Sequence, residues 1–360
     1  MWDEAPDRLR ISPITLVDRW RKSISRRAWL AGTAVGSLSI VAACRSRSQR
    51  PEVVAYVALD AEFSEPLLKT FGQRTGIDVR PVFDVESTKT VGLVNRLIAE
   101  RRHPRCDVFW NNEILHTIRL KKKGLLDAVS PPADFAVASS FRDPDRQWYG
   151  LAARARVFLV RRDLPVADRP ESILDLADAR SGRRGAMARP LFGTTATHAA
   201  VLFSRWGEKR ALRYYRDVRR HSRIYAGNRQ VAEGVARGEV DFGITDTDDA
   251  IIQIEKGAPV EIVFPDQGED RIGTLLIPNT VCLLKNAPHR ATAIRLIHYI
   301  LSAEVETRLA QGRSAQIPLR RDVSVRSRIG AEDVRPMEVD FAKATESWEA
   351  AAQTLQPLFR

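Results

Sequence analysis

VVAYVALDAEFSEPLLKTFGQRTGIDVRPVF runs from Val53 to Phe83. Its first seven residues are β-branched, aromatic or aliphatic without a charge, which predicts a buried strand. Ser64 then stands at a cap position and Pro66 suits a first helical turn. Leu67, Leu68 and Phe71 share one helical face, and Gly76 ends the helix. Ile77–Phe83 reads as a second strand.

The unit recurs. Val91, Val94, Leu97 and Ile98 carry helical spacing, Asp107–Trp110 reads as a third strand, and Glu113–Lys123 as a third helix closed by Gly124. Strand and helix alternating three times imply a mostly parallel sheet with helices on both faces. Ligands of such sheets bind at the carboxyl ends of the strands. The loops expected there are Asp60–Ser64, Asp84–Lys89 and Trp110–Glu113. The second half follows the same logic. Gly185–Ala188 is a short strand, and Phe192-Gly193-Thr194-Thr195 leads into a helix to about Trp206. Asn228 is expected to cap a helix to Arg237, Val240–Thr245 is a strand, and Val260–Phe264 another. Leu151–Val160 and Thr274–Leu284 are long apolar segments, each read as a strand crossing between two domains.

The second of these α/β units ends a strand in an acidic knot. Asp246, Asp248 and Asp249 put three carboxylates into four positions of a chain whose net charge is +12. Hard oxygen donors suit Ca²⁺, Mg²⁺, Mn²⁺ or Fe³⁺, and an organic cation suits them equally. The same acids also suit the N-terminus of the helix through Ile251, with Asp246 or Thr247 as its cap. An EF-hand is excluded, because Ile251 and Gly257 stand where that loop needs glycine and glutamate. Crowding predicts raised carboxyl pKa values, falling when a cation binds.

Asp60, Asn112 and Glu113 follow strands of the first unit and are further ligand candidates, with Glu113 equally able to cap its own helix. Thr194 and Thr195 open a helix, whose free N–H groups suit an anion. Trp110 reads as cleft or core. Arg154 and Arg156 either face the cleft and balance its acids or lie outside it. There is no GxSxG, HExxH or P-loop pattern, and the histidines lack metal-ligand spacing, so no catalytic residue and no required cofactor are expected.

The N-terminal 43 residues read as an export signal. Arg21–Leu30 is basic with a twin arginine, and Ala28–Ala43 is an uncharged run of 16 residues, short for a membrane span. Ser25-Arg26-Arg27-Ala28-Trp29-Leu30 resembles the twin-arginine signal, and Val41-Ala42-Ala43-Cys44 resembles a lipobox with Cys44 as the lipidated residue. Residues 44–52 are then a tether, and the protein a periplasmic one anchored by lipid. Removing residues 1–43 takes away seven Lys/Arg and four Asp/Glu and leaves a net charge of +9. Basic residues are scattered without an aromatic-interleaved stripe, which argues against nucleic acid. Cys106 and Cys282 sit in apolar strand-like runs and read as buried thiols.

Five stretches together resemble the extracellular solute-binding proteins (family 1) of ABC importers, in the ferric-ion-binding branch. They are YVALDAEFSEPLLKTFGQRTGIDVRPVF, CDVFWNNEILHTIRLKKKGLL, QWYGLAARARVFLV, GNRQVAEGVARGEVDFGITDTDDA and PHRATAIRLIHYILSAEVETRLA. The resemblance implies a two-lobed α/β periplasmic-binding-protein fold (type II-like) with the ligand cleft between lobes. Lobe 1 is expected at 53–150 plus about 275–310, and lobe 2 at 151–274 plus about 311–360. It implies a monomer that captures a small solute and delivers it to permease and ATPase subunits. Iron(III) or another metal cation is one solute, with Asp60, Glu113, Asp248 and Asp249 as metal ligands; an organic cation or other small solute, or a sensing role without transport, is the alternative. Asn228 matches a family position that contacts ligand or a synergistic anion. The family's adjacent tyrosines are replaced here by Thr247-Asp248 or Asp248-Asp249, and its histidine after the first strand by Asp60 or Glu62.

Overall fold

The computed structural model describes residues 50–84, 90–178, 184–326, 328–330 and 334–360. The export-signal segment, Cys44 and most of the Asp84–Lys89 loop lie outside the described residues. The first half contains β1 (Glu52–Val57), α1 (Ala61–Thr75), β2 (Asp78–Phe83), α2 (Val91–Ala99), β3 (Val108–Asn111), α3 (Leu115–Lys122), β4 (Leu126–Asp127) and the long β5 (Tyr149–Arg161). There follow β6 (Gly185–Ala188), α4 (Gly193–Trp206), α5 (Glu208–His221), β7 (Ser222–Tyr225), α6 (Asn228–Ala236), β8 (Phe242–Asp246), α7 (Thr247–Glu255) and β9 (Val260–Val263). The chain ends with β10 (Leu276–Leu284), α8 (Arg290–Ile300), α9 (Ala303–Gln311) and α10 (Phe341–Phe359).

Two similar half-sheets are joined by one strand. β2, β1 and β3 run parallel, and antiparallel β10 closes that trio. β7, β6 and β8 run parallel, and antiparallel β5 closes theirs. The strand order is β2-β1-β3-β10-β5-β8-β6-β7. β5 makes the join: Tyr149–Ala155 pair with β10, and Arg156–Val160 pair with β8. Of the two segments read as crossing strands, β5 pairs with both β10 and β8, and the other runs from Leu275, whose carbonyl accepts from the Arg156 N–H, into β10, which pairs with β3.

The crossing strand is bent by a bulge. Pairing slips between Pro278 and Asn279, leaving Ala152 as the extra residue, with φ of 32°. The buried Glu306 carboxylate accepts from the Ala152 N–H at 2.7 Å, and the Asn279 amide donates to its carbonyl. Both backbone groups freed by the bulge are thus satisfied. Beyond it, the two-residue period of the strand puts Arg154 and Arg156 on one face.

The core follows the lobes. Phe63, Leu67, Leu68 and Phe71 of α1 pack with Trp110, α8 and α9, so Trp110 belongs to the core. Cys106 and Cys282 are both buried free thiols. α10, grouped with the second lobe in the sequence reading, packs on both. Its Phe341 and Ala344 join a cluster with α2 and α3, while Ala351, Leu355 and Phe359 join one with α4 and α5. Trp348 receives the edge of His116 at 4.9 Å and the guanidinium of Arg119 at 4.0 Å.

Two caps differ from expectation. Ser64 lies inside α1, which already starts at Ala61, and its hydroxyl donates back to the carbonyls of Leu59 and Asp60. Asn228 is the first residue of α6, with Gly227 at the cap position, which releases its side chain for the site below.

Candidate functional site

Five strand-to-helix loops meet at the carboxyl ends of the parallel strands, where an α/β sheet presents its ligand. Asp60 comes from the loop after β1, Asn112 from that after β3, and Arg189 with Phe192–Thr195 from that after β6. Ala226–Asn228 come from the loop after β7, and Asp246, Asp248 and Asp249 from the junction of β8 and α7. With Arg154 of β5 they line a narrow polar cleft that opens to solvent. α4, α6 and α7 all begin here, so three helix N-termini add positive potential and free N–H groups.

Carboxylate oxygens of Asp246, Asp248 and Asp249 can come within 4.8 Å of one another. The repulsion is met from β5. Arg156 Nη1 donates to Asp246 Oδ1 at 2.7 Å, and Arg154 Nη2 lies 3.2 Å from Asp248 Oδ2. The antiparallel register causes this, since Arg156 pairs with Asp246 across the β5–β8 ladder. Asp246 is saturated further: its Oδ2 accepts from Thr194 Oγ1 at 2.5 Å and from Asn228 Nδ2 at 2.9 Å. Thr195 Oγ1 in turn donates to Asn228 Oδ1 at 2.9 Å. Asp246 occupies the cap position of α7 but makes no side-chain cap bond, because these partners take its oxygens.

The expectation of raised carboxyl pKa values fails at Asp246. Burial pushes it up, but Arg156, then Arg154, and the bonds from Thr194 and Arg156 hold it below the usual carboxylate range. For Arg154, burial acts to lower the pKa; Asp248, Asp246, Asp60 and Asp249, in that order of strength, outweigh it and raise it. Arg154 is thus the internal counter-ion of four carboxylates. Among the described residues, its buried Nε has no hydrogen-bond partner, nor have Nε and Nη2 of Arg156. Such unpaired buried donors cost about 1–3 kcal/mol each.

Glu113 is not among the lining residues. It is fully buried behind Asn112, accepting from the N–H groups of Leu115 and His116 and from Thr197 Oγ1 on α4. Burial pushes its pKa up, and the neighbouring His116 with the bonds from His116 and Asn111 brings it net below the usual range. It caps α3 and ties the two lobes together, the structural role weighed for it. Asp60, Asn112, Thr194, Thr195, Asn228, Asp246, Asp248 and Asp249 line the cleft together. Arg189 and Phe192 were not singled out from the sequence. Arg189 follows β6 as Asp60 follows β1, and that equivalence was the available signal.

Two lobes bridged by a crossing strand, with a polar cleft formed by loops of both, define a solute-binding protein. The chain belongs to the family of bacterial extracellular solute-binding proteins, whose family model matches residues 53–312. Iron uptake protein A1 of Synechocystis sp. is 25% identical over 333 residues, covering 84% of this chain and 91% of that protein. Among solved structures, a ferric binding protein from Campylobacter jejuni superposes with a TM-score of 0.76 at 22% identity, over 86% of this chain and all of that one. The periplasmic binding protein AfuA from Actinobacillus pleuropneumoniae, solved with exogenous fructose-6-phosphate bound, gives 0.73 at 21% identity, over 86% and 98%. These structural likenesses establish the fold.

Proposed function

We propose that this protein is the solute-capturing component of an ABC importer, acting as a monomer tethered outside the cytoplasmic membrane through Cys44. It closes its two lobes on a small solute and presents it to the permease. The solute we favour is a small organic molecule with an amine or hydroxyl group at one end and an oxyanion at the other. The observation that carries this reading is Arg154, a buried guanidinium 3.2 Å from Asp248 in the cleft that Asp60, Asp246 and Asp249 also line. A bare multivalent cation would have to displace it. An organic solute instead meets carboxylates, three helix N-termini and Arg189 in the same cleft. Among the described residues, no tyrosine lines the cleft to supply the phenolate that ferric iron favours.

Iron(III) held with an oxyanion is the second reading, favoured by the close approach of three aspartate oxygens and by kinship with an iron uptake protein. Metal ligands would then be Asp60, Asp248 and Asp249.

Thermal shift and calorimetry on the full chain distinguish these, with three probes: a sugar phosphate series, an aminoalkylphosphonate series, and iron(III) citrate. Micromolar binding of an organic oxyanion, with closure seen by small-angle scattering, supports the first reading. Tight iron uptake without it supports the second. No stabilisation or closure across the whole panel would sink both.

A further inference from the structure

α5 lies on the second lobe, away from the strand ends that build the cleft, and its sequence divides sharply around the helix. Ala211, Tyr214, Tyr215 and Val218 form the buried face. Lys209, Arg213, Arg216 and Arg220 recur at spacings of four, three and four, which puts them on one stripe opposite that face. All four are exposed, as are the flanking Arg210 and Arg219. The helix carries six Lys/Arg against Glu208 and Asp217 in its 14 residues, a net +4 in a chain of net +12. Charge is therefore concentrated here, contrary to the scattered distribution read from the sequence.

Like charges at four-residue spacing disfavour a helix. Neighbours do little to relieve this. Among the described residues, Lys209, Arg213 and Arg216 have no ion-pair partner, and Arg220 reaches only Asp217 at 3.6 Å. The stripe spans about 16 Å along the axis.

We propose that the α5 stripe docks the second lobe on an anionic phospholipid surface. The chemistry of the face selects this occupant. The centre of a protein interface is anchored by buried aromatic groups alongside arginine, whereas this stripe presents four flexible cations with no aromatic ring among them. Such a row suits a diffuse sheet of lipid phosphates, which attracts each nearby Lys or Arg. Docking is independent of which solute the cleft takes.

The test is co-sedimentation of the full chain with phosphatidylcholine vesicles, with and without phosphatidylglycerol. The comparison is with K209Q/R213Q/R216Q/R220Q and with a control that neutralises Lys121, Lys122 and Lys123. Both variants keep the N-terminal segment, so any membrane affinity of that segment cancels. Wild type should prefer the anionic vesicles, losing the preference in 1 M salt where the Debye length falls to about 3 Å. The quadruple variant should lose it too, each neutralised cation lowering binding about fivefold, while the lysine control keeps most of it. Equal loss in both variants, no preference in wild type, or stronger retention by duplex DNA at the same salt overturns the proposal. Circular dichroism melting checks the fold, and R213Q/R216Q alone gives the same ranking should the quadruple variant not fold.

Discussion

Arg154 on the crossing strand and Asp248 on the first turn of α7 lie 3.2 Å apart, both buried. The pair joins the strand that connects the lobes to the wall of the cleft. It makes Arg154 a discriminator between the two classes of solute. Replacing Arg154 with alanine removes the resident cation and leaves Asp248 facing Asp60 and Asp249. An iron(III) or manganese probe should then bind more tightly than to the wild type. An organic oxyanion should bind about tenfold or more weakly, for loss of a charged hydrogen bond. Calorimetry with both probes on both proteins reads this directly; affinities that move together would remove Arg154 from the specificity argument.

Arg156 and Asp246 form the deeper pair and serve stability first. Arg156 is fully buried, and Asp246 already has three side-chain partners. Arg156→Met leaves a buried carboxylate without its main counter-ion, and urea unfolding should report a loss of about 3–5 kcal/mol. Adding Asp246→Asn should recover part of that loss, because the stranded charge disappears. A double variant no more stable than Arg156→Met would mean the pair is not the unit described.

These two pairs also mark where sequence reading stopped. The strand–helix–strand order was legible because apolar runs and helical spacing are local. The loops that carry ligand groups followed from the parallel-sheet rule, and eight of the nine ligand candidates line one cleft. The pairing of Arg156 with Asp246 was not legible, since it depends on the register between β5 and β8, whose partners stand 90 positions apart in the chain. Glu113, read as ligand or helix cap alike, stayed open for a related reason. A carboxylate after a strand faces the cleft or turns back onto its own helix, and only the packing of Thr197 against it decides. α10 has no local signal for spanning two lobes, because its two halves differ only in the neighbours they meet.

α10 should bear on the whole molecule. Trp348 fastens its first half to α3 through His116 and Arg119. Trp348→Ala removes a half-buried indole and a cation–π contact, a loss of about 2–3 kcal/mol. Hydrogen exchange should rise first in α3 and the first half of α10. The second half, held by Leu355 and Phe359 in the other cluster, should stay protected. Uniform loss of protection along α10 would show that it unfolds as one piece rather than strapping two lobes.

His198 gives the protein an acid sensitivity with a defined sign. It lies on α4, buried, and its pKa is pushed down to about 3 by burial first and by Arg156 next, with Asp246 opposing. An unfolded histidine titrates near 6.5. Between those values the unfolded chain holds a proton that the folded one refuses, so stability is complete above pH 6.5 and falls as pH drops. The slope is about 1.4 kcal/mol per pH unit, or about 2–3 kcal/mol between pH 6.5 and 4.5. Asp246 does not confuse this window, because its folded pKa is depressed and its contribution is lost only below the ordinary aspartate range. Glu306 and Asp266, whose pKa values are raised by burial, change with pH in the opposite sense. They do so equally in wild type and in His198→Gln, so the difference between the two proteins isolates His198. Urea unfolding at pH 6.5, 5.5 and 4.5 should show the variant losing less stability than wild type by that amount. Parallel curves would mean that His198 is protonated in the folded protein, and that the α4 end of the cleft admits water.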